Sequence, residues 1–285
     1  MHTDLIKEKL PKYLRESDLK SLDVYKYHGA DYTPVEKFLN PFWTWFASFF
    51  PDWMAPNMIT FIGLILNISA ALLVIVNDPT LESKAPNWTY LVAAFALITY
   101  LNFDCADGKQ ARRLHASSPL GQLFDHGCDA INEVFIVMVL ASSCGTGSSF
   151  HTSSVLIIQC MAFSLAQVLE YHIDILYVGN KYFGTTESIL SVAVVYMIRG
   201  LCGDSLLRTP LSTLLPFSIP YDVSIAGFFL QVTNVCMIIT VIQLFTHSLI
   251  HGSPIPEEER GDKNLTRKDY LMRVVPSLYV EWVES

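Results

Sequence analysis

The chain has 285 residues, a formal net charge of −8 and a hydrophobic content of 51%. The excess of acidic residues argues against nucleic acid as a partner, because nucleic-acid binding needs a basic surface. The hydrophobic residues are concentrated in long uncharged runs, which soluble domains do not have. We therefore predict an all-α, polytopic integral membrane protein.

Residues 1–40 are polar and contain seven Lys or Arg residues. They contain no early apolar stretch of the kind that forms a cleavable signal peptide. The aromatic segment Pro41–Phe50 follows, and it is too short to span a bilayer. Trp and Phe suit the membrane–water interface, so we predict an interfacial amphipathic helix here, with a buried aromatic segment as the alternative. Residues 1–50 are thus a predicted N-terminal segment.

About six transmembrane helices are predicted after this segment. Met58–Val76 has nineteen residues without a charge, which is about the length that crosses a bilayer. The others lie at about Trp88–Phe103, Ala130–Cys144, Val155–Val178, Ile189–Ile198 and Val223–Ile250. Residues 51–250 form the predicted membrane domain, and residues 251–285 form a polar C-terminal tail.

Basic residues near the ends of the spans predict the topology. The bases predicted on one side include Lys109, Arg112, Arg113 and Lys181, together with those of the N-terminal segment and the tail. The opposite loops contain fewer, namely Lys84, Arg199 and Arg208. We therefore predict that the N-terminus and the loop after the second span face the cytosol.

Four aspartates lie beside this loop at helical spacing, where residues i, i+3, i+4 and i+7 share one face. One stripe consists of Asp104, Asp107, Gly108 and Ala111, and the other of Gly121, Asp125 and Asp129. Ser117-Ser118-Pro119 breaks the chain between them. We therefore predict two neighbouring helices whose acids converge.

Acids at membrane depth are costly, and four carboxylates cannot stay together without compensating charge. Oxygen ligands select hard ions, so we predict two divalent cations, Mg²⁺ or Mn²⁺. A pair of cations about 3.5–4 Å apart suits phosphoryl displacement. Gly108, Ala111 and Gly121 would leave room for a ligand, and Arg112 can hold a phosphate by two hydrogen bonds. Taken alone, small residues at this spacing are typical of helix packing.

The spacing Asp104-x2-Asp107-Gly108-x2-Ala111-Arg112-x8-Gly121-x3-Asp125-x3-Asp129 resembles the signature of the CDP-alcohol phosphotransferases at every fixed position. Other segments are similar to the eukaryotic choline/ethanolamine phosphotransferase branch, among them Tyr25-Lys-Tyr27, Pro41-Phe-Trp43, Ala55-Pro-Asn-Met-Ile-Thr60 and Glu170-Tyr-His172. The likeness extends from about residue 20 to 190.

The resemblance implies a reaction in which a diacylglycerol hydroxyl attacks the alcohol-side phosphorus of CDP-choline or CDP-ethanolamine. CMP leaves, and a phospholipid forms. It also implies an endoplasmic reticulum or Golgi membrane, with the active site facing the cytosol. The sequence does not determine the oligomeric state, and a homodimer is among the partners that it allows.

The resemblance implies a set of site residues. The metal ligands would be Asp104, Asp107 and Asp125, with Asp129 completing the second metal. The CDP site would be lined by Asn57, Gly108, Ala111, Arg112 and Gly121. Glu187 and Glu170 are acids that could receive a cationic head group, with Tyr171 adding a cation–π face.

Two residues compete for the role of general base. Asp129 is the family-wide candidate, whereas His126 is the rival in the eukaryotic branch, because histidine accepts a proton near neutral pH. That branch often has a Glu three residues before the third Asp, and this chain has Gln122 instead. A hydrogen-bonded structural histidine is the alternative for His126.

Three other interpretations stay open at this stage. Another acceptor, such as inositol phosphate or glycerol phosphate, would require further basic residues in the site. A divalent-cation transporter would show inverted repeats, which are not apparent in the sequence. Members of the eukaryotic branch are typically longer, with about ten spans, so an inactive truncated membrane protein is the third.

Overall fold

The computed structural model describes residue 29 and residues 32–173, 175–176, 179, 182–213 and 223–251. Within these ranges the chain is all-α, since the backbone forms helices and isolated bridges but no strand. Several features named in the sequence lie outside the described residues. They are the basic residues before position 29, the segment Tyr25-Lys-Tyr27, Lys181 and the tail after His251.

The described ranges form eight α-helices. They are α1 (Pro34–Ala47), α2 (Pro56–Asn77), α3 (Asn87–Arg113), α4 (Pro119–Cys144), α5 (Phe150–Ile173), α6 (Thr185–Cys202), the single turn α7 (Ser205–Arg208) and α8 (Ile225–His251). Six of them, α2 to α6 and α8, are long and apolar enough to cross a membrane. The predicted class, a polytopic all-α membrane protein, is confirmed.

Helix α1 differs from its predicted bounds, because it begins at Pro34 and contains Pro41 in its interior. Its start is fixed by a capping box: the Thr33 hydroxyl accepts a hydrogen bond from the Glu36 amide, and the Glu36 carboxylate accepts one from the Thr33 amide. Trp43 is buried, whereas Trp45 on the other face is 58% exposed. The helix is therefore amphipathic, and its interfacial position stays a prediction.

Helix α3 occupies the centre and packs against α1, α2, α4 and α6. Its residues Tyr90, Leu97 and Tyr100 are almost completely buried. Close approach to α2 depends on Gly63, where a Cβ atom would lie 3.1 Å from Cβ of Phe103. Small residues at such contacts let helix backbones come together, and this packing holds the end of α3 against α2.

The predicted break between the two acidic stripes is confirmed. Helix α3 ends at Arg113, and α4 begins at Pro119 with Ser118 as its N-cap. The Ser118 hydroxyl accepts a 3.1 Å hydrogen bond from the Gly121 amide, and Pro119 is tolerated in the first turn because its missing N–H needs no partner there. The short connection brings the acidic ends of the two helices close together.

Arg199 was predicted in a loop, and that prediction was wrong. Helix α6 begins before and ends after the predicted Ile189–Ile198, so that Arg199 lies in its last turn with 3% of the residue exposed. Its guanidinium donates to the Ser83 hydroxyl at 2.6 Å and to the Ser83 carbonyl at 2.8 Å, and it lies 4.4 Å above the Tyr90 ring. These partners compensate the buried charge of Arg199, so Arg199 can lie inside the helix instead of ending it.

Asp78 lies beside these residues, just after α2. Its carboxylate accepts hydrogen bonds from the Ser142 hydroxyl at 2.6 Å and the Ser83 amide at 2.8 Å, and the Tyr90 and Ser142 hydroxyls are 2.8 Å apart. The group is called the opposite-end network below, and it consists of Asp78, Ser83, Tyr90, Ser142 and Arg199. It joins α3, α4 and α6 at the end of the bundle away from the acidic stripes.

Candidate metal centre and nucleotide site

Three of the four predicted acids converge between α3 and α4. One carboxylate oxygen from each of Asp104, Asp107 and Asp125 lies within 4.8 Å of the others. Asp104 and Asp107 are one turn apart on α3, and Asp125 lies in the second turn of α4. Helical periodicity therefore puts the three side chains on facing surfaces, as the sequence predicted.

These residues fit a hard divalent cation. The Oδ1 atoms of Asp104 and Asp125 are buried and have no hydrogen-bond partner within the described ranges. An ionised carboxylate oxygen can only accept, so burying it without a donor is costly. Among the described residues, the ion pairs join other groups and reach none of the three aspartates. A cation bound by oxygen ligands would satisfy both orphaned atoms.

Asp129 lies apart from this group of three oxygen atoms. It is one turn beyond Asp125 on α4, and its carboxylate accepts a 2.6 Å hydrogen bond from the Tyr100 hydroxyl. Tyr100 is one turn before Asp104 on α3, so Asp129 lies beside the same cluster. The fourth acid therefore belongs to the same site but is oriented by a protein donor.

Two residues of the site were missed from the sequence. Thr60 on α2 donates a hydrogen bond to Asp107, and Tyr100 donates to Asp129. Tyr100 lies four residues before Asp104, which puts both on one face of α3. A polar residue that continues an acidic stripe is a signal that could have been used. The contact of Thr60 depends on how α2 packs.

The predicted nucleotide-site residues are brought together in part. A Cβ atom on Gly121 would lie 3.5 Å from Oδ1 of Asn57, so the start of α2 meets the start of α4. A Cβ atom on Gly108 would lie 3.5 Å from a guanidinium nitrogen of Arg112. The Arg112 side chain thus folds back over the glycine while its residue remains exposed. Ala111, on the same stripe, is half-buried.

The other two bases at this end hold α1 in place. Lys109 donates to the side chain of Asn40. Arg113 donates to the carbonyl of Phe50 and pairs with Asp52 at 3.2 Å. These contacts assign Lys109 and Arg113 to the attachment of α1, whereas Arg112 is the base that remains beside the small residues.

His126 is held by α5. Its Nδ1 atom is 2.8 Å from Oε1 of Gln167, and its ring meets Phe163 edge to face. One turn earlier, the Gln122 amide donates to the carboxylate of Glu170. Gln122 stands where the eukaryotic branch often has a Glu. Glu170, which was predicted to receive the head group, therefore contacts Gln122.

Glu187 has one satisfied and one unsatisfied oxygen. Its Oε2 accepts a 2.9 Å hydrogen bond from the Gly184 amide and so caps its own helix. Its Oε1 is buried and has no hydrogen-bond partner in the described part of the chain. Its neighbour Thr186 donates to Glu36 of α1 at 3.1 Å. The carboxylate is thus held in place by its cap, and one of its oxygens has no partner in the described ranges.

A bundle of membrane-crossing helices with carboxylate oxygens gathered at one end is what a membrane-embedded enzyme that binds divalent cations needs. The family model described as CDP-alcohol phosphatidyltransferase matches residues 53–244, so the chain belongs to this family.

Three relatives illustrate how similar the chain is to known proteins. Choline/ethanolaminephosphotransferase 1 of Saccharomyces cerevisiae is 38% identical over 196 residues, which is 68% of this chain and 50% of the relative. Cholinephosphotransferase 1 of Gallus gallus is 36% identical over 69% of this chain and 58% of its own length. Choline/ethanolaminephosphotransferase 1 of Arabidopsis thaliana is 43% identical over 47% of this chain and 35% of its own. The chain thus spans about half the length of such relatives.

Proposed function

We propose that this protein transfers phosphocholine or phosphoethanolamine from the CDP-alcohol to diacylglycerol, releasing CMP. The observation that carries the proposal is the convergence of three acids with two buried, unpartnered carboxylate oxygens. The named activities of the relatives supply the substrate class. We further propose that this end of the bundle faces the cytosol of an endoplasmic reticulum or Golgi membrane, because Lys109, Arg112 and Arg113 lie there.

Asp104, Asp107 and Asp125 would hold one Mg²⁺ or Mn²⁺ ion, and Asp129 would complete a second. Bound there, the two ions would neutralise the pyrophosphate and stabilise the departing phosphate of CMP. Arg112 would bind a phosphate oxygen, since its guanidinium lies over Gly108. Gly108, Ala111, Gly121 and Asn57 would form the surface on which the nucleotide lies.

In the proposed transfer, the acceptor hydroxyl oxygen forms a bond to the alcohol-side phosphorus, and the bond from that phosphorus to the CMP oxygen breaks. The hydroxyl proton passes to a base of the chain. His126 suits this role when Nδ1 donates to Gln167, because the lone pair of Nε2 is then available. Asp129 is the rival base, oriented by Tyr100.

Glu187 is proposed to receive the cationic head group. Its Oε2 is held by the Gly184 amide, so the unpartnered Oε1 has a fixed position. A quaternary ammonium group carries no hydrogen-bond donor, and a carboxylate oxygen would attract it by charge alone.

The test uses purified protein in lipid nanodiscs with diacylglycerol, labelled CDP-choline or CDP-ethanolamine, and Mg²⁺ or Mn²⁺. We expect release of CMP that stops when the ions are chelated and in Asp104→Asn. Asp52→Asn is the matched control, because Asp52 is exposed and pairs with Arg113 outside the cluster. No CMP release under any combination would contradict the proposal.

The base is tested separately. If His126 is the base, His126→Ala loses most of its turnover while it still binds Mn²⁺. Near-normal turnover in His126→Ala, together with loss of turnover but not of Mn²⁺ binding in Asp129→Asn, would assign the role to Asp129.

A further inference from the structure

A fifth acid lies inside the membrane-spanning part of α4, deeper than the site described above. Glu133 follows Asp129 by four residues, which is about 6 Å along a helix. Glutamate side chains on a helix lean towards its N-terminus, so the carboxylate extends back towards Asp129. Nothing in the proposed transfer uses this residue.

Glu133 has no basic partner on the helices around it. Helix α4 packs against α2, α3, α5 and α6. Helices α2, α4 and α5 contain no Lys or Arg, and the bases of α3 all lie in its last turns, beyond Asp107. Arg199 of α6 is bound in the opposite-end network. An acid in a membrane span without a counter-charge is a functional group by default, since its burial stabilises nothing.

The neighbour of Glu133 across the α4–α5 contact is Gln159. Glu133 is two turns beyond His126, and Gln159 is two turns before Gln167, so the antiparallel register that joins His126 to Gln167 and Gln122 to Glu170 also puts Gln159 opposite Glu133. The Oε1 atom of Gln159 is buried and has no hydrogen-bond partner among the described residues. One amide cannot fill all the acceptor positions of a carboxylate, so the pair presents more acceptors than donors.

The surface beside this pair is apolar and open to lipid. Val134, next to Glu133 on α4, is 37% exposed, and Cys160, next to Gln159 on α5, is also exposed. A ligand of this pair would therefore come from the bilayer and carry a hydrogen-bond donor. Diacylglycerol has that chemistry, whereas phosphatidylcholine has no O–H or N–H group.

We propose that Glu133 and Gln159 form a binding site for the hydroxyl of diacylglycerol, from which the acceptor enters the transfer site beside Asp129. The proposal names the acceptor site of the reaction proposed above and rests on it. The acyl chains would lie along the apolar residues of α4 and α5 while the hydroxyl hydrogen-bonds to the pair.

Binding can be tested without turnover. A photoreactive diacylglycerol is added to the protein in nanodiscs with a chelator and no CDP-alcohol. We expect labelling of α4 or α5 that excess diacylglycerol abolishes and acetylated diacylglycerol, which lacks the hydroxyl, does not. Glu133→Leu should lower the labelling about tenfold, the effect of a lost hydrogen bond to a charged group.

Glu133→Gln keeps an acceptor and should retain most of the labelling. Gln159→Leu removes the other member of the pair and should also lower the labelling, whereas its matched control Gln231→Leu on α8 should not, since Gln231 is exposed. Thermal unfolding reports whether each variant is folded. Equal labelling of the folded Glu133→Leu and wild-type proteins, or equal competition by the acetylated lipid, would overturn the proposal.

Turnover then separates this proposal from the proposed function. In an active protein, Glu133→Leu should raise the KM for diacylglycerol about tenfold and leave the KM for CDP-choline unchanged. If the protein is labelled in a hydroxyl-specific way but releases no CMP, the proposed lipid site stands and the proposed transferase activity is wrong. A change in the KM for both substrates alike would reject the acceptor site instead.

Discussion

The two ends of the bundle bury polar groups in opposite ways. In the opposite-end network, Asp78 is fully buried and accepts hydrogen bonds from Ser142 and Ser83. At the other end, Asp104 and Asp125 each have a buried oxygen with no partner in the described ranges. Buried polar groups that serve structure are satisfied by the protein itself. The unpartnered carboxylate oxygens of Asp104 and Asp125 are where we propose that a ligand completes the site.

The largest expected difference between the two ends is in catalysis. Asp104→Asn should lower CMP release at least about a thousandfold, since metal-assisted charge stabilisation contributes several kcal/mol. Removing one of several repelling charges should also raise the melting temperature when a chelator is present. Calorimetry with EDTA and with Mg²⁺ measures this. A variant less stable than wild type in EDTA would mean that the acids are paired by protein groups.

At the opposite end, Arg199→Ala should affect stability rather than chemistry. Its guanidinium loses several hydrogen bonds, which should lower the free energy of unfolding by roughly 3 kcal/mol. Activity per folded molecule should stay close to wild type. The matched control is Arg208→Ala, whose half-exposed side chain has an ion pair with Asp204 and a hydrogen bond to the Glu82 carbonyl, which together should contribute about 1 kcal/mol. An equal loss of unfolding free energy in the two variants would contradict the structural role of the buried Arg199.

Asp78 makes the stability of this end depend on pH. Burial raises the pKa of Asp78, but hydrogen bonds from Ser142 and from the amides of Glu82, Lys84 and Ser83 outweigh it, so the pKa lies below its ordinary value. The charged form therefore stabilises the fold at neutral pH, and this contribution is lost as the pH falls through the lowered folded pKa, below about 4. Asp78→Asn should be less stable than wild type at pH 7, and the difference should shrink in acid unfolding curves. A stability difference between wild type and Asp78→Asn that grows as the pH falls would contradict the lowered pKa of Asp78.

The smallest expected effect concerns Gln122. Gln122→Glu would place two carboxylates together, because Gln122 contacts Glu170. Their repulsion should cost about 1 kcal/mol of stability. The double variant Gln122→Glu/Glu170→Gln restores one acid and one amide, so it should recover the loss. A double-mutant cycle of thermal unfolding shows whether the two positions are coupled.

The acidic stripes could be predicted because a helix has a fixed period, and the break at Ser118-Pro119 is a local signal. The start of α1 was missed, because the capping residues Thr33 and Glu36 precede the aromatic run that marks the segment. The contacts of Asp107 with Thr60 and of His126 with Gln167 depend on how separate helices pack, which periodicity does not encode. For the same reason Arg199 was assigned to a loop.

The attachment of α1 to α3 has a consequence for how the protein sits in a bilayer. Trp43 donates a 2.9 Å hydrogen bond to Asn102, two residues before Asp104, and Lys109 and Arg113 bind the two ends of the same aromatic segment. Were α1 to lie along the water boundary as predicted, the acids would have a constant immersion depth. A thicker or thinner membrane would then be accommodated at the other end of α3, and the distance from dissolved nucleotide to membrane lipid would stay the same.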